Sequence, residues 1–419
     1  MAGPHKLAGE LGLLALVLVV GLTLASPTVL LLALPIAIHV TLGLLLTRRF
    51  LKLRATRHLS NSRTHHGDGI DVELSIENLG QHLDLVLVTE QQTLAKHVTE
   101  GTTSSARTLC AGGTLTLSYS AQPPRGFYNP AQVPVYARDL LGFTNWTAHL
   151  SCPSPLWVFP SYDPVGRVGL SPHRTLSVPG TARSRRGGEG IQFFATRPYI
   201  PGDSLRHLNW KALARRHQTV INLYEQERAA ELTVVLDGRE WAYEPVQGQE
   251  TFEHAVRACA ALCDSAIRDG HRTGLLFYGE RLEWIPLGSG KVQRERLLQG
   301  LARAELGFSE AFADLGNLPS RLFPSGSSVI IVSPFTTGDE EALGMLRARG
   351  YDVLALVSEP APSPVTESTP LGLATRLAKL ERQLMLQVLR VAGVRVVVWR
   401  VDSPLSIAIK ATRWRSRWS

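Results

Sequence analysis

The segment Glu231-Leu-Thr-Val-Val-Leu-Asp237 decides the fold. A short apolar run closed at both ends by an acidic residue reads as a strand buried on both faces. Helices and further strands alternate after it. A helix is predicted around Thr251–Asp269, with Phe252, Val256, Ala260 and Cys263 on one stripe, then a strand at Thr273–Tyr278 and a helix near Val292–Ala304. A strand at Ser328–Val332 leads to a helix near Glu340–Arg349, stopped by Gly350. Asp352–Val357 reads as another buried strand, 375–391 as a long helix, and Arg395–Trp399 as the last strand. Strands separated by helices of this length make a parallel sheet covered on both faces. Residues 231–410 are therefore expected to form a doubly wound α/β domain whose working edge lies at the strands' carboxyl ends.

Upstream, between residues 65 and 162, the period is two. Ile70-Val72-Leu74-Ile76, Leu83-Leu85-Leu87, Leu115-Leu117-Tyr119 and Val133-Val135-Ala137 alternate with polar neighbours, and Leu156–Phe159 closes the series. Turns fall at Pro123–Gly126 and Asp139–Gly142. Short strands at this spacing predict a small antiparallel β-sandwich. Residues 163–230 join the two domains. Their first part is rich in Pro, Gly, Ser and Arg, as in Ser184-Arg185-Arg186-Gly187-Gly188, and reads as a linker. Arg197, Arg206, Lys211, Arg215 and Arg216 make the segment basic, but it lacks the interleaved aromatic residues of single-strand nucleic-acid readers. Nucleic-acid binding is therefore not expected.

The N-terminal part reads differently again. From Leu11 to Thr47 no side chain is formally charged, over about twice the length of one bilayer span. Ser26-Pro27 near its middle marks a turn, so residues 7–47 are expected to be a transmembrane helical hairpin. The basic run Arg48, Arg49, Lys52, Arg54, Arg57 and Arg63 would place both termini on the cytoplasmic side of a multi-pass protein in the cell membrane. Cys110, Cys152, Cys259 and Cys263 show no metal-ligand spacing and are expected to be reduced thiols.

The stretch Gly188-Glu-Gly190 … Phe194 … Arg197-Pro-Tyr199-Ile-Pro201-Gly202-Asp203-Ser-Leu-Arg206-His-Leu-Asn-Trp210-Lys211-Ala-Leu-Ala214-Arg215 resembles the signature of domain of unknown function family fifty-eight. Gln192-Phe193 departs from the family's Glu-Phe pair. The resemblance implies membrane anchoring, a von Willebrand factor A-like α/β domain and association with MoxR-type AAA+ ATPases. Such domains often hold Mg²⁺ through Asp-x-Ser-x-Ser on the first strand. Here the loop reads Asp237-Gly238-Arg239-Glu240-Trp241, so only Asp237 of that motif is kept, and no cofactor or metal is expected.

Two readings of the signature remain open. Pro201-Gly202 makes a turn, Asp203 is placed to cap a helix from Ser204, and Arg206 and Trp210 could fasten the segment to the sheet domain. The alternative is a docking surface for another protein, and the clamp is the preferred reading because a Trp is more often buried. Gly288-Ser289-Gly290-Lys291 resembles a piece of a phosphate-binding loop, but Ile285 and Val292 replace its first Gly and its hydroxyl residue. No nucleophile elbow, zinc-protease or dinucleotide fingerprint appears, so no enzyme is expected. The expected function is a membrane-tethered protein-binding adaptor or assembly factor, with Arg239 and Trp241 meeting the partner. The alternative is a module for the cell envelope or an anionic membrane surface.

Overall fold

The computed structural model describes residues 4–46, 51–90, 92–139, 145–166, 175–176, 182–216, 219–243, 248–310, 314–359, 370–400 and 403–411. The chain divides into two compact units, residues 1–159 and 160–419.

The first unit opens with helices α1 (Pro4–Thr23) and α2 (Pro27–Leu46), joined by a turn at Leu24–Ser26. The expected transmembrane hairpin is overturned here, and with it the multi-pass membrane location. Among the described residues no helix is long and apolar enough to cross a membrane. Glu10 sits 3.6 Å from His39 across the hairpin, and Pro35 lies inside α2. Between that polar pair and the turn each helix has roughly twelve residues, about 18 Å of rise, where a span needs about 30 Å.

Among the described residues, strands β1 (Leu53–Leu59), β2 (Arg63–His65), β3 (Ile70–Asn78), β4 (Leu83–Thr89), β5 (Val98–Gly101), β6 (Ser104–Leu109), β7 (Thr114–Ala121), β8 (Gly126–Tyr128), β9 (Gln132–Arg138), β10 (Asn145–Ser151) and β11 (Leu156–Phe159) come next, with a short helix α3 (Gln92–Ala95) after β4. They form antiparallel sheets β1-β3-β7-β5 and β10-β9-β4-β6 and a smaller sheet β2-β11-β8. In β3 every second residue from Ile70 to Ile76 is buried, the period that the sequence carries. Leu74, Ile76, Leu115 and Leu117 from one sheet meet Val86, Val88, Val133 and Val135 from the other in a shared core. One charged pair is buried with them. Arg57 of β1 donates to Glu90 just after β4 at 2.7 Å, and Tyr119 of β7 donates to the second oxygen of the same carboxylate at 2.8 Å. Arg57 also reaches the carbonyls of Pro130 and Cys152. This network ties the two large sheets together at one end. Burial, then the Glu90 charge, drives the Tyr119 phenol far above its ordinary pKa.

The second unit holds β12 (Thr175–Leu176), β13 (Ala182–Pro198), α4 (Trp210–Arg216) and β14 (Val220–Asp237). It continues with α5 (Gly248–Arg268), β15 (Arg272–Tyr278), β16 (Leu282–Gly288), α6 (Gly290–Arg303), β17 (Ser328–Ser333), α7 (Asp339–Ala348), β18 (Asp352–Glu359), α8 (Pro370–Val391), β19 (Arg395–Arg400) and α9 (Leu405–Ala411). The sheet order is β16-β15-β14-β17-β18-β19, parallel except for β16, which returns antiparallel beside β15 at the edge. Helices α7 and α8 cover the face lined by Val235, Leu276, Val329, Ile331, Val353 and Ala355. Helix α5 packs on β14, β15, β17 and β18 and buries Phe252, Val256, Cys259 and Cys263. All four cysteines are free thiols, and Cys110 is exposed.

Part of the stretch read as a linker is strand. Residues 182–198 pair antiparallel with residues 220–228 of β14, with register shifts around Gly187-Gly188 and Phe193. Strand β14 is 18 residues long, about 60 Å at an ordinary rise per residue. Its first half belongs to this hairpin and its second half, Glu231–Asp237, is the central strand of the parallel sheet. The signature segment is thereby mounted on the sheet by an unbroken strand.

Candidate functional site

Two constellations stand out, one at the carboxyl end of β14 and one at the head of the β13–β14 hairpin.

At the strand end the chain turns at Gly238, where an added Cβ would collide with the Phe277 ring. That turn folds Arg239 back over Asp237. The Arg239 backbone N–H and Nε each donate to one Asp237 oxygen at 3.0 Å, and its Nη2 donates to the other at 2.8 Å. The same guanidinium reaches Asp339, the first residue of α7, through Nη1 at 3.1 Å and Nη2 at 2.8 Å. Ser333, ending β17, donates its hydroxyl to Asp237 at 2.6 Å. Thr336 donates both its backbone N–H and its hydroxyl to Asp339, and Tyr243 donates to the Asp237 carbonyl. The group is closed from solvent, with Arg239 only 2% exposed. Trp241 forms its outer wall, 46% exposed, with the Arg239 guanidinium carbon 4.8 Å from its ring centroid.

The electrostatics are set by that geometry. Burial disfavours the Arg239 charge, but hydrogen bonds and attraction from Asp237 and Asp339 outweigh it and hold the pKa above the ordinary value. Burial raises the Asp339 pKa, and Arg239 pulls against the shift. A divalent ion at this strand end would need the Asp237 oxygens, and the guanidinium already holds both. Among the described residues no group of His, Cys, Asp and Glu side chains has the geometry of a metal site. Calorimetric titration of the protein with Mn²⁺ is therefore expected to give no saturable heat. Arg239→Ser should expose two carboxylates and three hydroxyl groups to the same spot, and its melting temperature should rise on adding Mn²⁺. An unresponsive Arg239→Ser protein would mean that the carboxylate and hydroxyl cluster cannot hold a cation where the guanidinium sits.

The hairpin head spans Tyr199 to Thr219. Arg197 forms a two-pronged ion pair with Asp203, both bonds 2.7 Å, and Asp203 also accepts from the Ile200 N–H at 2.9 Å. The predicted capping role of Asp203 is not what the structure shows: the 3-10 turn Leu205–His207 begins without a side-chain cap. The cap is Asn209, which accepts from the Ala212 N–H at the start of α4 and donates to Asn222 of β14. Leu208 and Ile221 bridge the two sides and are buried. The Arg197 fork, then the Ile200 N–H, holds the Asp203 carboxyl below its usual range. A depressed carboxylate pKa contributes stability that is complete above the unfolded value and is lost as pH falls through the folded one. The head should therefore loosen in acid, which amide exchange at Ile200 can follow. Unchanged protection of that amide below the carboxylate range would count against the fork.

Trp210 does not clamp the segment to the sheet. It opens α4 with its side chain 65% exposed, and Leu205 is 64% exposed. Ile200, Arg206, Lys211 and Arg215 reach solvent as well. Arg239 is the reverse case: expected to meet a partner, it is buried in an ion triad, and only Trp241 of that pair reaches the surface. Arg185 and Arg186 lie in β13 with their side chains outside the described residues. Sequence reading missed Asp339, the fulcrum of the triad. The available signal was the acidic opening Asp339-Glu340-Glu341 of α7 after a strand end.

Residues 195–365 match the family described as Protein of unknown function DUF58. The whole head and all of the ion triad lie inside that match. A relative, the "Uncharacterized protein YeaD" of Bacillus subtilis (strain 168), is 25% identical over 272 residues, which cover 62% of this chain and 65% of the relative. The chain thus spans just under two thirds of that relative's length. Among solved structures, proximal thread matrix protein 1 from the mussel byssus is similar with a TM-score of 0.28 and 16% identity, over 44% of this chain and 46% of that one. The CARDB domain of the PF1109 protein from Pyrococcus furiosus is similar with a TM-score of 0.16 and 14% identity, over 25% of this chain and 96% of that one.

Proposed function

We propose that this chain is a protein-binding adaptor that docks its partner on the hairpin head and does so without a metal ion. The observation that carries this reading is the exposure of Leu205 and Trp210 on a head whose own fold does not use them. Buried Leu208 and Ile221, the Arg197–Asp203 fork and the Asn209 cap already hold the head together. Large apolar side chains left outside a rigid mount, beside Arg206, Lys211 and Arg215, have the composition of an interface centre with a basic rim.

The second unit supports reading the α/β domain as von Willebrand factor A-like, with its ion position taken over by Arg239. The partner proposed is an AAA+ ATPase of the MoxR type, an assignment that rests on the family resemblance rather than on residue chemistry. The test is gel filtration of this protein mixed with a purified MoxR-type ATPase from the same organism. A co-eluting complex that survives low salt and moderate salt supports the reading. Separate peaks at every ATPase concentration would remove that partner.

A further inference from the structure

Helix α8 carries two apolar faces. Leu386 and Leu389 are buried in the sheet domain's core, with Met385 packed beside them. On the other side Leu377, Leu380, Leu384, Val388 and Val391 are between 52% and 83% exposed. At 100° per residue these five fall within an arc of roughly 80°. Their spacing of three, four, four and three residues averages the 3.5 of a coiled-coil seam.

The stripe has a further property: it reads the same in both directions. Counted from Leu384, the apolar positions lie at minus seven, minus four, zero, plus four and plus seven. A two-fold axis beside Leu384 would run a second α8 antiparallel to the first. Leu384 then meets Leu384 of the second copy, Leu380 meets Val388, and Leu377 meets Val391. The side chains lining one shallow depression on this face include Leu384, Gln387, Val388 and Val391, at the i, i+3, i+4, i+7 positions of a knob-accepting hole. The knob opposite that hole under the same axis is Leu380 of the second copy. An arbitrary partner helix has no reason to match a palindrome, whereas a copy of the same chain matches it by symmetry. The five side chains offer roughly 100 Å² each, about 1,000 Å² for two copies, which reaches the size of a specific interface before flanking residues are counted.

We propose that this face of α8 is a homodimer interface with antiparallel helices. Sedimentation of the full chain should then give about twice the 45.8 kDa monomer mass. Leu384→Glu should halve it while leaving the far-UV circular-dichroism spectrum of the folded chain unchanged, and its melt should lose any dependence on protein concentration. A second variant fixes the geometry. In a Cys110→Ser background, Leu384→Cys lies on the axis and should form a disulfide-linked dimer on mild oxidation. Leu377→Cys should not, because its mate in the second copy would lie about 20 Å away along the helix. A monomeric wild-type chain, a Leu384→Glu dimer, or equal cross-linking at both positions would each overturn the proposal.

Discussion

Arg239→Ala is expected to destabilise the α/β unit by about 3–5 kcal/mol, the range for removing one partner of a buried ion pair. The loss is not of the contact alone. Asp237 and Asp339, both buried, would be left facing each other with no cation between them. Such a pair must take up a proton or pull apart. In the intact protein Asp339 is already raised by burial, with Arg239 opposing the shift, so its pKa should climb further in the variant. A carboxylate with a raised folded pKa binds more protons folded than unfolded, so its unfavourable contribution appears as pH rises through the unfolded value and is complete above the raised one. Urea unfolding should find the variant closest to wild type in acid and furthest from it at neutral pH. Equal unfolding midpoints at neutral pH would show that the guanidinium does not hold this edge together.

Glu90→Ala should be comparably damaging to the first unit, again by about 3–5 kcal/mol. It strands the buried Arg57 charge and removes the acceptor of Tyr119 at once. Arg57 keeps the carbonyls of Pro130 and Cys152, which soften the loss without cancelling the charge. Because Arg57 and Tyr119 belong to one large sheet and Glu90 comes directly after a strand of the other, the change also unpins the sheets from each other. Glu90→Gln should be milder, since an amide oxygen can still accept one of the two bonds. Thermal unfolding of the two variants separates these cases, and a Glu90→Ala protein as stable as wild type would refute the tie.

The sequence declared the elements whose burial is periodic. Leu232–Leu236, buried throughout, lies in β14, and the alternating runs at Ile70, Leu115 and Val133 lie in β3, β7 and β9, because one buried face leaves a period of two. In β4 the register shifts after Leu83, so that Val86 and Val88 are buried and the expected Leu85 and Leu87 are exposed. The misses have physical reasons. Residues 182–190 are poor in apolar side chains, and the ladder with β14 makes them a strand. Strand β16 carries Pro286, which reads as a breaker and is tolerated because the strand lies at an edge. The apolar run at the N-terminus suggests a span until Glu10 and His39 are seen to face each other across the hairpin.

The site was half legible. Asp237 and Arg239 stand close in sequence and both stand out there, but an Arg after a strand end reads as exposed. Its second partner, Asp339, is 100 residues away and comes within reach only because β14 and β17 are neighbours in the sheet. For Trp210 bulk suggests burial, yet Leu208 and Ile221 already fill the interior of the head.

The most direct test concerns where the partner binds. A purified MoxR-type ATPase should be titrated onto immobilised wild-type protein and onto a Leu205→Ala/Trp210→Ala variant, with the dissociation constant as readout. Both side chains are exposed, so the variant should keep its stability within about 0.5 kcal/mol for each substitution. If they form the centre of the interface, each contributes about 2 kcal/mol to binding, and affinity should fall by at least about a hundredfold. An unchanged dissociation constant in a normally melting double variant would contradict docking on the hairpin head.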